Sequence, residues 1–299
     1  MSSYQIMIRT KKTKKLITVY MPVFNASKFL HQSIESILDQ TYSNFEFIIV
    51  DDASTDNSWK IIRSYAKKDK RIIAIRNNIN LGVSLTSNIA ISKAKGQFLA
   101  RMDADDISFS NRLESQLNYF KKHPNTVAIG GQCVVIDENN HLIGNKNFPT
   151  KAKKLKEMIF WAIPMQQPSM MINLDKLPQN FTWYTPNVSS AEEINLMFRL
   201  MLYGNLANLP QNLLFYRHLE TSLSHKNPKE TFKLTLNSRY QALSFGFRPS
   251  VKAIFLNLLQ IIAVSLIPAH LINEIWYRIR GIKNTNNHLT VRTYAESQV

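Results

Sequence analysis

Cysteine is nearly missing from this sequence of 299 residues, where Cys133 stands alone. One thiol cannot form an internal disulfide or a cysteine-rich zinc site; it fits a reducing compartment and reads as a small buried core residue. Acidic side chains are scarce as well. The chain has 21 Asp and Glu against 37 Lys and Arg, a formal charge of +16 at pH 7. That balance needs an acidic counterpart, for which nucleic acid, anionic lipid and a phosphorylated small substrate all qualify. The opening MSSYQIMIRTKKTKK lacks the continuous apolar stretch of a secretory signal, so the expected compartment is the cytoplasm. Repeats and low-complexity segments are missing too. With 44% hydrophobic and 19% charged residues, general disorder is excluded and a sizeable core is available.

What is there is an alternation. Apolar runs at 16–23 (LITVYMPV), 45–50 (FEFIIV), 72–75 and 97–102 are separated by helical patterns. Phe29, Ile34, Ile37 and Leu38 follow the first run, Ile61, Ile62, Tyr65 and Ala66 the second, and 84–94 the third. The order β-α-β-α-β-α-β, with strands apolar throughout, predicts an α/β protein with a Rossmann-like, mostly parallel sheet flanked by helices. Ligands of such sheets sit beyond the carboxyl ends of the strands. Those ends carry Pro22 to Asn25, Asp51 and Asp52, Asn77 to Gly82, and Asp103 to Asp106. Acid gathered there, against a basic background, points to a held cation. Further on, the sequence predicts a strand over 127–136, a turn over 137–141, a helix over 151–161 and a helix over 190–203. The last is capped by Ser190 and has Glu192 and Glu193 in its first turn.

Asp103 and Asp105 form a D-x-D pair in a turn after a buried strand. Hard cations such as Mg²⁺ or Mn²⁺ take a few carboxylate oxygens and keep positions open for substrate phosphates. A bare D-x-D is also a common acidic turn; its place after an apolar strand, near Asp51 and Asp52, favours the metal. Several residues admit two readings. Asp51 and Asp52 either belong to the site or cap the following helix. Trp161, Trp183 and Tyr184 either stack on sugar rings or pack in the protein. Residues 253–273 carry no charge but are interrupted by Asn257, Gln260, Ser265, Pro268 and His270, with Arg248, Lys252, Arg278, Arg280 and Lys283 around them. A helix lying in the interface on anionic lipid fits this better than a span; packing on the catalytic domain or on a second subunit is the alternative.

The segments ITVYMPVFNAS, SIESILDQTYSNFEFIIVDDASTDNS and NLGVSLTSNIAISKAKGQFLARMDADD, followed by Arg112-Leu113-Glu114, resemble family two of the nucleotide-sugar glycosyltransferases, of the bacterial surface-polysaccharide or lipooligosaccharide type. Weaker echoes follow at 164–172, 191–200 and 216–224. The resemblance implies a GT-A fold and an inverting, Mn²⁺- or Mg²⁺-dependent transfer from a UDP-sugar to a hydroxyl of a glycan or glycolipid acceptor. It implies that Pro22 and Phe24 line the nucleobase pocket and that Asp52 accepts from the uracil imide. Asp103 and Asp105 become the metal pair, with Asp105 the direct ligand, and Glu193 the catalytic base. The chain departs from the family's pattern at Glu193 (usually Asp), Asn195 (often Asp), Ser87 (often Arg), and Gln167 and Leu219 (often His); the neighbouring His218 is either a substitute for the lost histidine or, the favoured reading, a surface histidine. The expected organisation is a basic tail over 1–15 and a catalytic domain over 16–245, with its nucleotide-sugar half at 16–120 and its acceptor half at 121–245. A helical region over 246–299 follows, holding the protein peripherally on the inner face of the cell membrane. Nucleic acid is not an expected partner, because the basic residues are not gathered in an aromatic-rich RNA motif. The competing class is a catalytically inactive nucleotide-sugar or nucleic-acid binder, against which intact Asp52, Asp103 and Asp105 argue.

Overall fold

The computed structural model describes residues 13–185, 192–219, 227–269, 271–272, 275 and 289–296. Its strands are β1 (Thr13–Val23), β2 (Phe45–Asp51), β3 (Ile72–Arg76), β4 (Gly96–Arg101), β5 (Ile107–Ser108), β6 (Thr126–Ile136), β7 (Leu142–Lys146), β8 (Met171–Asn173) and β9 (Asn205–Arg217). They join in one sheet of order β3-β2-β1-β4-β8-β6-β9-β5, with β7 added beside β6. The first four run parallel, as they must when each is linked to the next by a helix: α1 (Leu30–Leu38), α2 (Ser58–Lys68) and α3 (Gly82–Ser92).

Both faces of this half are covered. Tyr20, Ile48, Val50 and Leu99 pack with Ala90 and Ile91 of α3. Val19, Met21, Phe47 and Ile49 pack with Leu30, Ile34 and Ile37 of α1 and Ile62 of α2. Double-sided burial is the reason the strands read as unbroken apolar runs rather than alternating ones. Because β2 and β4 flank β1 on opposite sides, the chain's direction of travel reverses at β1, and a crevice opens at the carboxyl end of that strand.

Gly96 lets β4 approach β1. A Cβ there would stand 2.6 Å from the Thr18 backbone nitrogen and 2.8 Å from the Leu16 carbonyl oxygen. These are backbone atoms of a central strand and cannot swing aside. Gly96→Ala is therefore expected to destabilise the fold by about 2 kcal/mol or more, read as a lowered midpoint in thermal unfolding followed by circular dichroism; an unchanged midpoint would show that the two strands can separate freely.

Beyond β4 the sheet changes sense. The short β8 pairs antiparallel with both β4 and β6, β9 runs parallel to β6, and β5 and β7 add antiparallel partners. The sheet is therefore mixed but mostly parallel, as expected, since its long ladders are parallel and its antiparallel ones short. The sequence pattern does not reveal β9, because exposed Pro210 and Gln211 interrupt it; the register with β6 shifts there, as at a bulge. The remaining helices are α4 (Arg112–Lys122), α5 (Ala152–Met158), α6 (Glu192–Leu200), α7 (Pro228–Ser244), α8 (Val251–Leu266) and α9 (Val291–Glu296). Ser190, the expected cap of α6, and residues 1–12 of the basic tail lie outside the described residues.

The described residues of 246–299 fall into two parts. Tyr294 of α9 returns to the sheet and stands edge-on to Phe109 and Phe215, and Val291 joins the same cluster. α8 instead carries a row of exposed apolar side chains. Among the described residues, no helix is long and apolar enough to cross a membrane.

Candidate active site

The ends of β1, β2 and β4 meet at the crevice. After β1, Pro22 is half-buried and the Phe24 ring is 51% exposed. Asn25, with φ of +50°, turns the chain toward α1. Its backbone N–H donates to Ser54 Oγ (3.0 Å) and its Oδ1 accepts from Thr55 N (2.8 Å). An aromatic ring is thus left half open to solvent beside the central strand, where a flat group could stack on it.

After β2, the two aspartates part ways. Asp51 is fully buried and paired with Arg76 Nε at 3.1 Å. Asp52 Oδ1 accepts from Asn77 Nδ2 and Leu81 N, each at 2.8 Å, and its Oδ2 accepts from Gly82 N at 2.8 Å. Asp52 therefore caps α3, not the helix that directly follows it. Three donors occupy three of the roughly four acceptor positions of a carboxylate, which leaves one on Oδ2.

The turn after β4 holds Asp103, Asp105 and Asp106. Asp103 Oδ1 accepts from Arg101 Nε at 2.8 Å. The main chain of the turn is tied from both sides: the Ser33 hydroxyl of α1 lies 2.6 Å from the Asp106 carbonyl oxygen, and Arg217 Nε of β9 donates to the Asp105 carbonyl at 2.8 Å. Asp106 Oδ1 accepts from the Arg217 backbone N–H at 2.8 Å, while its Oδ2 is buried without a hydrogen-bond partner. Burial, with Asp103 beside it, pushes the Asp105 carboxyl up to about 6; burial and the charges of Asp105 and Asp103 raise Asp106 well above the usual carboxylate range. Carboxylates crowded in this way are short of positive charge. Among the described residues no three ligand-type side chains converge on one point, so a cation held by Asp103 and Asp105 would complete its shell with phosphate oxygens and water, the habit of Mg²⁺. The residues present fit such an ion.

Glu192 and Glu193 open α6, within electrostatic reach of both Arg101 and Asp103. Glu192 is buried and Glu193 half-buried. Burial raises both carboxyls. For Glu193 the neighbouring Glu192 adds to it, Arg101 offsets part, and the result is about 7. Arg101 is itself 4% exposed; burial opposes its charge, and Asp103 foremost, with Glu192 among the others, outweighs that.

The setting of Arg101 was not legible in the sequence. Its Nη1 donates to Tyr184 Oη at 3.4 Å, which lies 2.7 Å from Tyr20 Oη and accepts from Gln167 Nε2 at 3.1 Å. Arg112, noted in the sequence only as part of a motif, donates through Nη2 to the Arg101 carbonyl at 2.7 Å. Tyr184 and Trp183 are buried in the core, so of the two readings for these rings packing holds, and neither is open to a sugar. The one local signal was a charge, Arg101, at the end of an apolar buried strand, since a buried charge must be paired.

The geometry finds counterparts among known proteins. The profile described as "Glycosyl transferase family 2" matches residues 18–179. An uncharacterized glycosyltransferase of Methanocaldococcus jannaschii is 38% identical over 162 residues, 53% of this chain and 56% of that protein. The Escherichia coli UDP-Glc:alpha-D-GlcNAc-diphosphoundecaprenol beta-1,3-glucosyltransferase WfaP is 36% identical over 107 residues, 36% of this chain and 42% of that one. In both cases the match spans less than two thirds of the relative's length. Among solved structures, Staphylococcus aureus TarS 1–349 in complex with UDP-GlcNAc superposes with a TM-score of 0.59 at 18% identity, covering 74% of this chain and 66% of that one. The mannosyltransferase PcManGT of Pyrobaculum calidifontis, in complex with GDP-Man and Mn²⁺, gives 0.55 at 15% identity, covering 88% and 83%. Both structures share the α/β fold. With its family profile running from β1 past β8, through both the strand-end crevice and the turn of Asp103 and Asp105, the chain belongs to glycosyl transferase family 2.

Proposed function

We propose that this chain transfers a sugar from a UDP-sugar to a hydroxyl of a growing, lipid-carried glycan, with inversion at the anomeric carbon and with the help of Mn²⁺ or Mg²⁺. The observation that carries the proposal is the meeting of two sets of carboxylates around one buried arginine: Asp103 bonds it directly, and Glu192 and Glu193 lie in its field. One set faces the end of the donor half and the other opens the acceptor half.

In this reading Phe24 lies against the nucleobase beside Pro22, and Asp52 uses its remaining acceptor position for the uracil imide. Asp105, supported by Asp103, holds the divalent cation. When bound, that ion offsets the charge on the leaving diphosphate. Arg217 and Ser33 keep the turn's backbone fixed while the carboxylates change partners. Glu193 accepts the proton of the attacking hydroxyl. Its raised carboxyl suits that task, because a base with a pKa near the working pH is both free of its proton and strong enough to take another. A single displacement, with base and leaving group on opposite faces, inverts configuration. The lipid carrier is supported by the diphosphoundecaprenol acceptor in the name of WfaP and by the basic balance of the chain, which suits the anionic inner face of a cell membrane.

Thermal unfolding tests the donor side. UDP should raise the midpoint by several degrees when Mn²⁺ or Mg²⁺ is present, equivalent to about 2.7 kcal/mol at roughly 100 times Kd, and much less without the ion. A screen of UDP-sugars for metal-dependent hydrolysis then identifies the donor. Binding with no turnover of any UDP-sugar would favour the inactive binder; an equal UDP response with and without the ion would remove the metal from the proposal.

A further inference from the structure

α8 is built inside out. Ala253, Asn257 and Gln260 recur at i, i+4 and i+7 and turn inward: Ala253 is buried in the core, and Asn257 Oδ1 and Gln260 Oε1 accept from Arg239 Nη1 of α7 at 2.5 and 3.0 Å. The opposite side presents Val251 (84% exposed), Phe255 (59%), Leu258 (52%), Ile262 (56%) and Leu266 (78%). A helix on the surface of a water-soluble domain shows the reverse polarity, with amides outward and apolar side chains inward. Amides bonded to a buried arginine on the inside, with a row of apolar side chains on the outside, is the arrangement of protein that faces lipid.

Length and charge narrow the occupant. The helix has 16 residues, about 24 Å at 1.5 Å per residue, shorter than the ~30 Å hydrocarbon core, so it can lie in the interface but not cross. Exposed Arg248 and Lys252 stand at its amino-terminal end and exposed Lys229 and Lys233 on α7, while the only acidic residue from 227 to 269 is Glu230. A second copy of this chain would bring the same basic residues to the seam with Glu230 alone, of residues 227–269, to meet them. An anionic bilayer meets both features at once.

We propose that the outward face of α8 docks on an anionic lipid surface, seated on the protein through Arg239, Asn257 and Gln260. The inference deepens the lipid-carrier reading above and rests on it. Its location is apt: Asn195 Nδ2 of α6 donates to Gln241 Oε1 of α7 at 2.8 Å, so the helix that carries Glu193 is one helix removed from the lipid-facing one. A glycan held by a lipid tail would be delivered on the acceptor side.

The test is cosedimentation of the full chain with vesicles of phosphatidylglycerol mixed with phosphatidylcholine. A variant carrying Phe255→Ser, Leu258→Ser and Ile262→Ser changes only exposed positions. It should keep the UDP-induced thermal shift and lose about tenfold or more in partitioning. Arg248→Glu with Lys252→Glu should lose about as much by reversing the charge near the surface. Wild-type protein that stays in the supernatant, or a serine variant that sediments equally well, would overturn the docking. So would a wild-type dimer that the serine substitutions dissociate and that ignores vesicles, which would assign the face to a second copy. Equal binding to phosphatidylcholine alone would overturn the anionic surface. Failure of vesicle binding with the UDP response intact strikes the docking alone; vesicle binding with no UDP response supports the docking and strikes the transferase reading.

Discussion

Asp105→Ala is expected to abolish sugar transfer, a loss of about 10³-fold or more, and to remove the metal dependence of UDP binding, while the protein stays folded. The fold should survive because the Asp105 side chain anchors nothing that the structure needs. Arg217 holds its carbonyl oxygen, which alanine retains. The carboxyl is raised to about 6 by burial and by Asp103, so its removal also relieves crowding with Asp103 and Asp106. In the absence of divalent cation the unfolding midpoint of the variant should therefore equal or exceed that of the wild type. Circular dichroism melts, UDP titrations with and without Mn²⁺, and a transfer assay check the three parts separately. Full turnover in the variant would show that the cation is held elsewhere.

Glu193→Gln keeps the shape of the side chain and removes the proposed proton acceptor, so transfer should fall by ~10²-fold or more, with UDP binding nearly unchanged because the proposed donor contacts lie at the ends of β1, β2 and β4. The pH profile makes the assignment sharper. A base must be unprotonated, and burial with the neighbouring Glu192 pushes Glu193 up to about 7; kcat should accordingly fall as the pH drops below about 7, well above the usual glutamate range. Glu192→Gln removes a negative charge that raises Glu193. It should cost less than Glu193→Gln and move the acidic limb of the profile to lower pH. Severe loss at Glu192 with near-normal turnover at Glu193 would move the base one residue earlier.

The two variants probe different halves of the molecule, and those halves differ in how far the sequence reveals them. From β1 to β4 each strand is a continuous apolar run and each helix has apolar residues at helical spacing, so local periodicity is enough to order the elements. Polar residues follow each strand directly, which marks the crevice, and Asp103 and Asp105 stand out there by type and spacing. In the second half, β8 has three residues and β9 is broken by Pro210. Neither forms a pattern of its own; both exist because β4 and β6 offer edges to pair with.

By itself, then, the sequence determined what depends on neighbours along the chain: the alternation of strands and helices, the acidic strand ends, and a carboxylate pair at the start of α6. Only the tertiary structure decided what depends on residues far apart. Arg217 reaches the turn of Asp105 and Asp106 across a separation of 111 residues, and Tyr184 meets Tyr20 across 164. Asp52 was open to two local readings, and the return of the chain to β2's side put the start of α3 over it, a helix further on than the one it precedes. In α8 the pattern marks an apolar helix interrupted by amides, but which side faces water depends on where a buried cation stands. Arg239 on α7 donates through Nη1 to both Asn257 and Gln260, a buried guanidinium being costly without partners, and with the amides on that side the apolar side chains opposite them stand outward.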